Sequence, residues 1–173
     1  LFPNWVDATL FFPLADKDGV KEEFGFSPQD KVVLYSGAIG EKQGLENILY
    51  AAKGLAHEAN LKFVICGSGP YKEKLEKLAR ELSLSNVVFL PLQPFEKLNR
   101  FLNMADVHLV LQKADAADLV MPSKLTTILA IGGLAIVTAK EGTSLFDVIS
   151  SHDMGLVIAP EDQAKLQTTI LHA

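Results

Sequence analysis

A lysine and three hydroxyl side chains open the otherwise apolar segment PSKLTTILAIGG (122–133). Its apolar positions predict a buried helix, with Pro122 setting the backbone angle at the start and Ser123 capping it. A helix amino terminus carries partial positive charge, so Lys124 is unfavourable there unless a negative group lies close to it. The segment therefore predicts a compact site for an anion. Solvent contact, or pairing of Lys124 with Asp115 or Asp118, is the alternative.

A second candidate site is the glycine-containing segment SGAIGEKQGLE (36–46). Glycines permit close approach of the backbone to a ligand, and Lys42 and Gln43 are spaced to reach an anion. The three glycines are Gly37, Gly40 and Gly44. An ordinary flexible connection between a strand and a helix explains the same composition, so the segment alone leaves both interpretations open.

A third glycine-containing segment, CGSGPYKEKL (66–75), resembles the start of a dinucleotide-binding fingerprint. It lacks the third glycine, and the next strand ends in FLPLQP (89–94), without an acidic residue for a ribose. A tight turn with close helix packing and direct ligand contact both remain open. Cys66 is expected to be a small buried apolar side chain.

Other polar residues carry weaker signals. Asp16-Lys17-Asp18 matches an Asp-x-Asp metal motif, but no apolar strand precedes it, so a surface turn is favoured. His108 lies within an apolar strand pattern and is interpreted as structural. The four histidines lie far apart without metal-ligand spacing, and the single cysteine excludes a disulfide framework.

Alternating strand and helix patterns position these segments. Apolar strands separated by helices predict a doubly wound, Rossmann-like α/β fold with a parallel sheet of about six strands and helices on both faces. Ligands of such sheets bind at the carboxyl ends of the strands, where all three segments lie. The strand candidates are 31–37, 61–67, 86–90, 106–112, 134–139 and 155–160, and the helix candidates are 46–59, 71–84, 95–104 and 123–131.

Composition limits the remaining classes. The 173 residues are 49% hydrophobic and 21% charged, which is typical of a folded globular chain. A net charge of −5 disfavours nucleic acid as a partner, and no apolar run is long enough for a membrane span. The chain has no initiating methionine or signal-peptide pattern, so a fragment is expected. We divide it into a leading segment (1–30) and a Rossmann-like domain (31–173).

Six segments, taken in order, resemble the C-terminal domain of family 4, GT-B retaining glycosyltransferases. The likeness is to the bacterial enzymes of exopolysaccharide, colanic acid and O-antigen biosynthesis. It implies that the chain is the donor-binding half of a GT-B enzyme, which transfers a hexosyl-type sugar from a nucleotide-diphosphate sugar to a polysaccharide or lipid-linked acceptor. The segments are FPNWVD…FFP (2–13), SGAIGEKQGLENIL (36–49), FVICGSGPYKEKLEKLA (63–79), NVVFLP (86–91), MADVHLVL (104–111) and PSKLTTILAIGG (122–133).

The resemblance also implies roles for individual residues. Lys42 and the glycine segment would face the diphosphate, and Leu90 and Leu92 would line the base. The helix start would surround the phosphates and ribose, through Pro122, Ser123, Lys124 and Leu125. Lys124 and Lys42 would act catalytically by stabilising the negative charge of the leaving diphosphate, without a metal or other cofactor.

Several positions depart from the family pattern. Relatives often carry Arg and Lys where this chain has Ala38 and Gln43, and Lys42 lies one position early. Many relatives also have a Glu-x7-Glu pair, whose positions here hold Leu119 and Thr127. Thr126 or Thr127 is expected to hydrogen-bond the ribose instead, with Asp118 as a possible substitute for the first glutamate. This chain therefore resembles a subgroup with a Pro-Ser-Lys helix start.

The resemblance implies partners and a location. An N-terminal acceptor-binding domain, absent from this chain, would complete the active site, so this fragment alone is expected to be inactive. The expected location is cytoplasmic, with peripheral contact to the inner face of the membrane through lipid-linked acceptors. Half of a non-hydrolysing nucleotide-sugar epimerase, or a non-catalytic Rossmann-like interaction domain with a decayed site, are the alternatives.

Overall fold

A computed structural model describes residues 5–114 and 122–173. Within these residues, six parallel strands pair in the order β3-β2-β1-β4-β5-β6, which confirms the predicted doubly wound sheet. The strand order reverses between β1 and β4, where such sheets open a crevice at their carboxyl ends. The strands are β1 (Lys31–Ser36), β2 (Leu61–Cys66), β3 (Val87–Leu90), β4 (Val107–Val110), β5 (Leu134–Thr138) and β6 (Leu156–Ile158).

Helices connect the strands, and a 3₁₀ turn (Glu41–Gln43) follows β1. The four predicted helices are present, and α3 turns Leu75 and Ala79 into the core as its spacing predicts. The sequence analysis missed α1, α6 and α7. The helices are α1 (Lys17–Glu23), α2 (Glu46–Gly54), α3 (Lys72–Glu81), α4 (Phe95–Asn103), α5 (Ser123–Ala130), α6 (Ser144–His152) and α7 (Gln163–His172).

Capping side chains mark the starts of the three missed helices. Asp16 accepts a hydrogen bond from the Gly19 amide, Thr143 from the Phe146 amide, and Asp162 from the Lys165 amide. These are ordinary N-caps, since an oxygen side chain satisfies an amide that has no partner inside the helix. The interpretation of Asp16-Lys17-Asp18 as a surface turn was wrong, because this segment begins α1.

Apolar side chains cover both faces of the sheet. Alternate residues of β1, such as Val33 and Tyr35, pack beneath α2, α3 and α7. The intervening residues, such as Val32 and Leu34, pack beneath α1 and α4, while α5 and α6 cover β4 and β5 on a third cluster. Strands buried on both faces need nearly continuous apolar runs, which explains why the sequence predicted them well.

The leading segment is fastened to α4 by two asparagines. The Phe12 amide donates to the Asn99 side chain at 3.1 Å, and the Leu14 amide donates to the Asn103 side chain at 2.9 Å. Asn103 is 2% exposed and returns a hydrogen bond to the Phe12 carbonyl at 3.1 Å. The segment therefore runs along the folded domain and contributes α1 to its core.

Candidate functional site

The crevice between β1 and β4 begins at the end of β1. Tyr35 is buried, and its hydroxyl donates a 2.7 Å hydrogen bond to the Ala38 carbonyl, which ties the strand to the loop that follows. Burial raises the pKa of the Tyr35 hydroxyl well above its ordinary value, so the side chain stays neutral. Its ring forms one wall against which a cation from another element packs.

That cation is Lys124, the second residue of α5. Its ammonium nitrogen lies 4.1 Å from the centroid of the Tyr35 ring. It also lies against Gly37, since a β-carbon built there would be only 3.0 Å from the Lys124 Nζ. A cation over an aromatic face is favourable, yet the ring does not neutralise the charge. The geometry therefore holds a positive group at the mouth of the crevice.

The electrostatics of Lys124 indicate a site prepared for an anion. Burial lowers the pKa of its ammonium from 10.5 to about 8, because the charged form loses water. Among residues 5–114 and 122–173, no carboxylate lies within ion-pair distance of it. A bound phosphate would supply the missing counter-charge through charge-assisted hydrogen bonds.

The start of α5 differs in one detail from the sequence analysis. Pro122 occupies the N-cap position, and no side chain caps the helix, so the expectation that Ser123 caps it was wrong. Ser123 begins the helix instead, and its carbonyl accepts a 2.7 Å hydrogen bond from the Thr126 hydroxyl. The Ser123 side chain is exposed and faces the crevice, where it is available to a ligand.

An open cleft of about 460 Å³ collects these groups. Its wall combines polar hydroxyls, one ammonium and two aromatic rings, a mixture suited to a polar ligand with some apolar surface. A smaller cavity of about 150 Å³ adjoins it and shares Ser36, Lys124 and Thr127. The cleft is lined by Trp5, Tyr35, Ser36, Gly37, Ala38, Gln43, Ser123, Lys124, Thr126 and Thr127.

A larger cavity, of about 650 Å³, lies at the opposite edge of the sheet. Its lining includes Lys31, Asn60 and Asp106, at or just before the amino ends of strands. Ligands of doubly wound sheets bind at the carboxyl ends, beside the strand-order reversal. We therefore place the site in the cleft at Lys124.

The glycine segment after β1 enters the site only in part. Gly37 and Gln43 line the cleft, and the Gln43 side chain also accepts a 3.1 Å hydrogen bond from the Gly40 amide. Gly44 adopts the left-handed conformation that ends the 3₁₀ turn. The Lys42 side chain is exposed and does not line the cleft, so its contact with a diphosphate stays a prediction.

The second glycine segment has a packing role. A β-carbon on Gly67 would lie 1.9 Å from the Gly37 carbonyl oxygen, and one on Gly69 would lie 2.2 Å from that of Ile39. The Ile39 amide donates to the Ser68 carbonyl at 2.9 Å. These contacts explain both glycines without a ligand, because only glycine allows the two loops to approach so closely.

The structure separates the remaining predicted site residues from the cleft. Leu125 is 0% exposed, so its side chain packs in the core and does not face the phosphates as expected. Leu90 ends β3 and is half-buried, and Leu92 beyond it is 60% exposed. Both lie two strands away from β1, outside the cleft. Asp118 lies outside the described residues.

Two residues interpreted as structural are buried, as predicted. Cys66 is 1% exposed, and its thiol contacts the Pro91 carbonyl at 3.1 Å. Burial lowers the pKa of His108 to about 4, with a smaller effect from the charge of Lys17, so the ring is neutral. Its Nε2 has no hydrogen-bond partner among the residues described. The same part of the chain has no group of three or more potential metal ligands.

Four residues that line the cleft were not among the predicted site residues. Ser36 and Ala38 lie in the predicted glycine segment, whereas Tyr35 and Trp5 were not considered for the site. Tyr35 belongs to the continuous apolar run of β1, and such a run indicates burial but does not show which element of the fold packs against the ring. Trp5 was noted only as part of a motif, and it lies in a largely apolar stretch of the leading segment, so its type did not set it apart. Both reach the site through tertiary contacts.

The sequence profile of the family described as glycosyl transferases group 1 matches residues 16–173. This chain belongs to that family. One relative is WcaI of Escherichia coli (strain K12), a glycosyl transferase assigned to colanic acid biosynthesis. It is 43% identical over 175 residues, which cover 99% of this chain and 43% of the relative, so the chain spans less than half of that protein.

Solved structures confirm the fold of this family member. HepE of Anabaena, crystallised with UDP-glucose, superimposes with a TM-score of 0.80 at 14% identity over 98% of this chain and 46% of HepE. The C-terminal domain of LpcC of Francisella tularensis, a glycosyl transferase group 1 family protein, gives 0.79 at 16% identity over 97% of this chain and 87% of that domain. Such neighbours are GT-B glycosyltransferases. No helix in the described residues is long and apolar enough to cross a membrane.

Proposed function

We propose that this chain is the donor-binding half of a retaining glycosyltransferase. It would bind a nucleotide-diphosphate sugar and serve transfer of a hexosyl-type sugar to a polysaccharide or lipid-linked acceptor. The observation that carries the proposal is Lys124, a half-buried ammonium at a helix amino terminus, held against Tyr35 and Gly37 without a carboxylate partner among the described residues.

The chemistry follows from that charge. When the glycosidic bond to the donor breaks, negative charge accumulates on the departing diphosphate. Lys124 and the amino terminus of α5 would stabilise this charge more strongly in the transition state than in the bound donor, which is how electrostatic groups accelerate a reaction. Thr126 and Thr127, on the next turn of the helix, would hydrogen-bond the ribose. This assignment needs no metal ion.

The related proteins support a nucleotide sugar as the ligand. HepE was solved with UDP-glucose on the same fold, and WcaI is assigned to colanic acid biosynthesis. The likeness to a C-terminal domain of LpcC favours a second, acceptor-binding domain in the whole protein. We propose that the whole protein acts in the cytoplasm at the inner face of the membrane, where lipid-linked acceptors would be available.

Titration calorimetry tests the proposal directly. The chain is titrated with UDP, GDP, UDP-glucose and GDP-mannose. We expect it to bind either UDP and UDP-glucose, or GDP and GDP-mannose. Lys124→Ala should weaken that binding by roughly 10- to 100-fold, since a charge-assisted hydrogen bond contributes about 1.5–3 kcal/mol. Lys77→Ala is the matched control, because Lys77 lies on α3, exposed and paired with Glu81 at 3.7 Å.

Each outcome separates this proposal from its rivals. No binding of any of the four ligands would contradict a donor site and favour a non-catalytic interaction domain. Equal losses in the Lys124 and Lys77 variants would show a non-specific effect of charge. The Lys42→Ala variant tests the contact between Lys42 and the diphosphate that the family resemblance implies. A loss of affinity would support this contact. Unchanged affinity would exclude Lys42 from the site.

A further inference from the structure

Trp5 is the largest apolar side chain that the molecule leaves in water. It is 84% exposed, it is the only tryptophan of the chain, and it lines the same cleft as Lys124 and Ser123. Isolated exposed apolar residues are common, but a rigid indole beside a cation and several hydroxyls resembles the anchor residues of binding surfaces. We therefore expect the indole to contact a part of the ligand that has its own apolar face.

The backbone just after Trp5 is well anchored. The Thr9 amide and hydroxyl donate to one carboxylate oxygen of Asp7 at 2.9 and 2.6 Å, and the amides of Leu10 and Phe11 donate to the Asp7 carbonyl at 3.1 and 3.0 Å. Beyond this turn, the Phe11 ring packs edge-on against Phe95 with 6.2 Å between centroids. The turn is therefore held to α4, and it anchors the backbone two residues beyond Trp5.

The surroundings of Trp5 indicate which part of a nucleotide sugar it would meet. The segment expected to line the base, Leu90 and Leu92, lies at the end of β3 and outside this cleft. Phosphate oxygens would be drawn to Lys124 and repelled by the electron-rich face of an indole. The ribose is assigned to the hydroxyls on the next turn of α5. The remaining part is therefore the transferred sugar ring, which presents hydroxyls at its rim and an apolar face of C–H groups.

We propose that Trp5 stacks on the apolar face of the donor's sugar ring, while hydroxyl side chains of the cleft contact the rim of that ring. The inference rests on the proposed function, because it requires a nucleotide sugar at Lys124. It adds a residue that recognises the transferred sugar and does not touch the nucleotide. The hydroxyl side chains are those of Ser36 and Ser123.

Comparing each nucleoside diphosphate with its sugar conjugate tests this inference. Calorimetry is run with UDP against UDP-glucose and GDP against GDP-mannose, on wild type, Trp5→Ala and Trp5→Phe. Trp5→Ala should lower the affinity for the nucleotide sugar roughly three- to tenfold, as expected for loss of one aromatic contact. The affinity for the nucleoside diphosphate should stay unchanged. Trp5→Phe, which keeps an aromatic face, should restore most of the affinity.

Intrinsic fluorescence provides a second measurement, because Trp5 is the only tryptophan. The nucleotide sugar should change its emission, and the nucleoside diphosphate should not. Urea unfolding of Trp5→Ala should match wild type, since the side chain is 84% exposed. Matched unfolding would exclude misfolding as the cause of any lost affinity.

The contradicting results are distinct. Equal weakening of both ligands in Trp5→Ala, or weakening of neither, would overturn the stacking of Trp5 on the sugar and leave the donor site at Lys124 intact. An emission change with the nucleoside diphosphate alone would place the indole on the base and overturn the inference as well. Failure of wild type to bind any of the four ligands would overturn both the inference and the proposed function.

Discussion

The two edges of the sheet each enclose a lysine ammonium, but they surround it differently. At the amino edge, Lys21 is 4% exposed, and its Nζ lies 2.8 Å from both the Asp30 carbonyl and the Asp106 carboxylate. At the carboxyl edge, Lys124 contacts the Tyr35 ring and has no carboxylate partner in residues 5–114 and 122–173.

The difference shows how one fold uses the same side chain for two purposes. A buried charge is tolerated when it is paired and hydrogen-bonded, and such a pair holds elements together. Lys21 joins α1 to the residues that precede β1 and β4. A cation held without a counter-charge weakens the fold and is useful only when a ligand supplies the missing charge. Within the part of the chain that the structure describes, Lys124 has this second arrangement.

Removing Lys21 should produce the largest effect. In Lys21→Met, the Asp106 carboxylate keeps its 2.8 Å contact with the Val32 amide but loses its cation. Removing one partner of a buried ion pair usually lowers the free energy of unfolding by about 3–5 kcal/mol. We expect a loss of about 3 kcal/mol here, because Asp106 is partly exposed. Urea unfolding measures it.

The control for that variant is Lys77→Met, which breaks the exposed pair with Glu81. It should change stability by less than about 0.5 kcal/mol, as surface pairs generally do. Binding of nucleotide sugars should be the same in both variants and in wild type. Similar stability losses for Lys21→Met and Lys77→Met would mean that the amino-edge pair is no stronger than a surface pair.

Replacing Lys124 should stabilise the fold, whereas replacing Lys21 should destabilise it. Lys124→Met keeps an unbranched side chain of nearly the same length and removes the charge that burial disfavours. We expect the unfolding free energy to rise by roughly 2 kcal/mol at pH 7, because the folded-state pKa is lowered from 10.5 to about 8. The same variant should lose affinity for the nucleotide sugar. A decrease in stability would contradict an uncompensated charge at the carboxyl edge.

The pH dependence gives a sharper form of this test. A lowered pKa means that the unfolded chain binds more protons than the folded chain between pH 8 and 10.5. The penalty from Lys124 is therefore complete below about pH 8 and disappears as the pH rises to about 10.5. Urea unfolding at successive pH values should show wild type approaching Lys124→Met across this window. A difference that stays constant with pH would contradict the burial of the ammonium.

Gly37→Ala should affect the fold less than Lys21→Met or Lys124→Met. Its β-carbon would lie 3.0 Å from the Lys124 Nζ, and its φ of +147° is unfavourable for alanine, so we expect a loss of about 1 kcal/mol and weaker ligand binding. Gly25→Ala is the matched control, because its φ is +82° and nothing lies within 4 Å of the added carbon. Gly25→Ala should show a comparable stability loss with unchanged binding. Unchanged binding in Gly37→Ala would argue against contact between Lys124 and the ligand.

Much of the fold could be predicted from local patterns. The apolar strand segments gave six strands with boundaries close to those observed, because strands buried on both faces leave a clear signal. Helices α1, α6 and α7 were missed, although Asp16, Thr143 and Asp162 cap their starts. Cap residues are also common in turns, so the sequence alone did not distinguish the two.

The site was predicted less completely than the fold. Lys124 and Gly37 were identified because a helix start and a glycine segment are local features. Leu125 was assigned to the ligand although it faces the core, and Lys42 was placed at the diphosphate although its side chain lies outside the cleft in this structure. Adjacent residues of a helix point in different directions, so membership of a motif does not determine which side chain reaches the site.

The sequence by itself determined the parallel α/β architecture, the helix that begins at Ser123 and the positive charge at its start. These depend on neighbours along the chain, on the spacing of apolar residues and on the amides at the end of a helix. Only the tertiary structure decided that Lys124 packs against Tyr35 and Gly37, that Lys21 pairs with Asp106, and that Trp5 lines the same cleft. These contacts join residues far apart in sequence, and they depend on how parallel strands and their crossovers bring distant segments to one edge of the sheet.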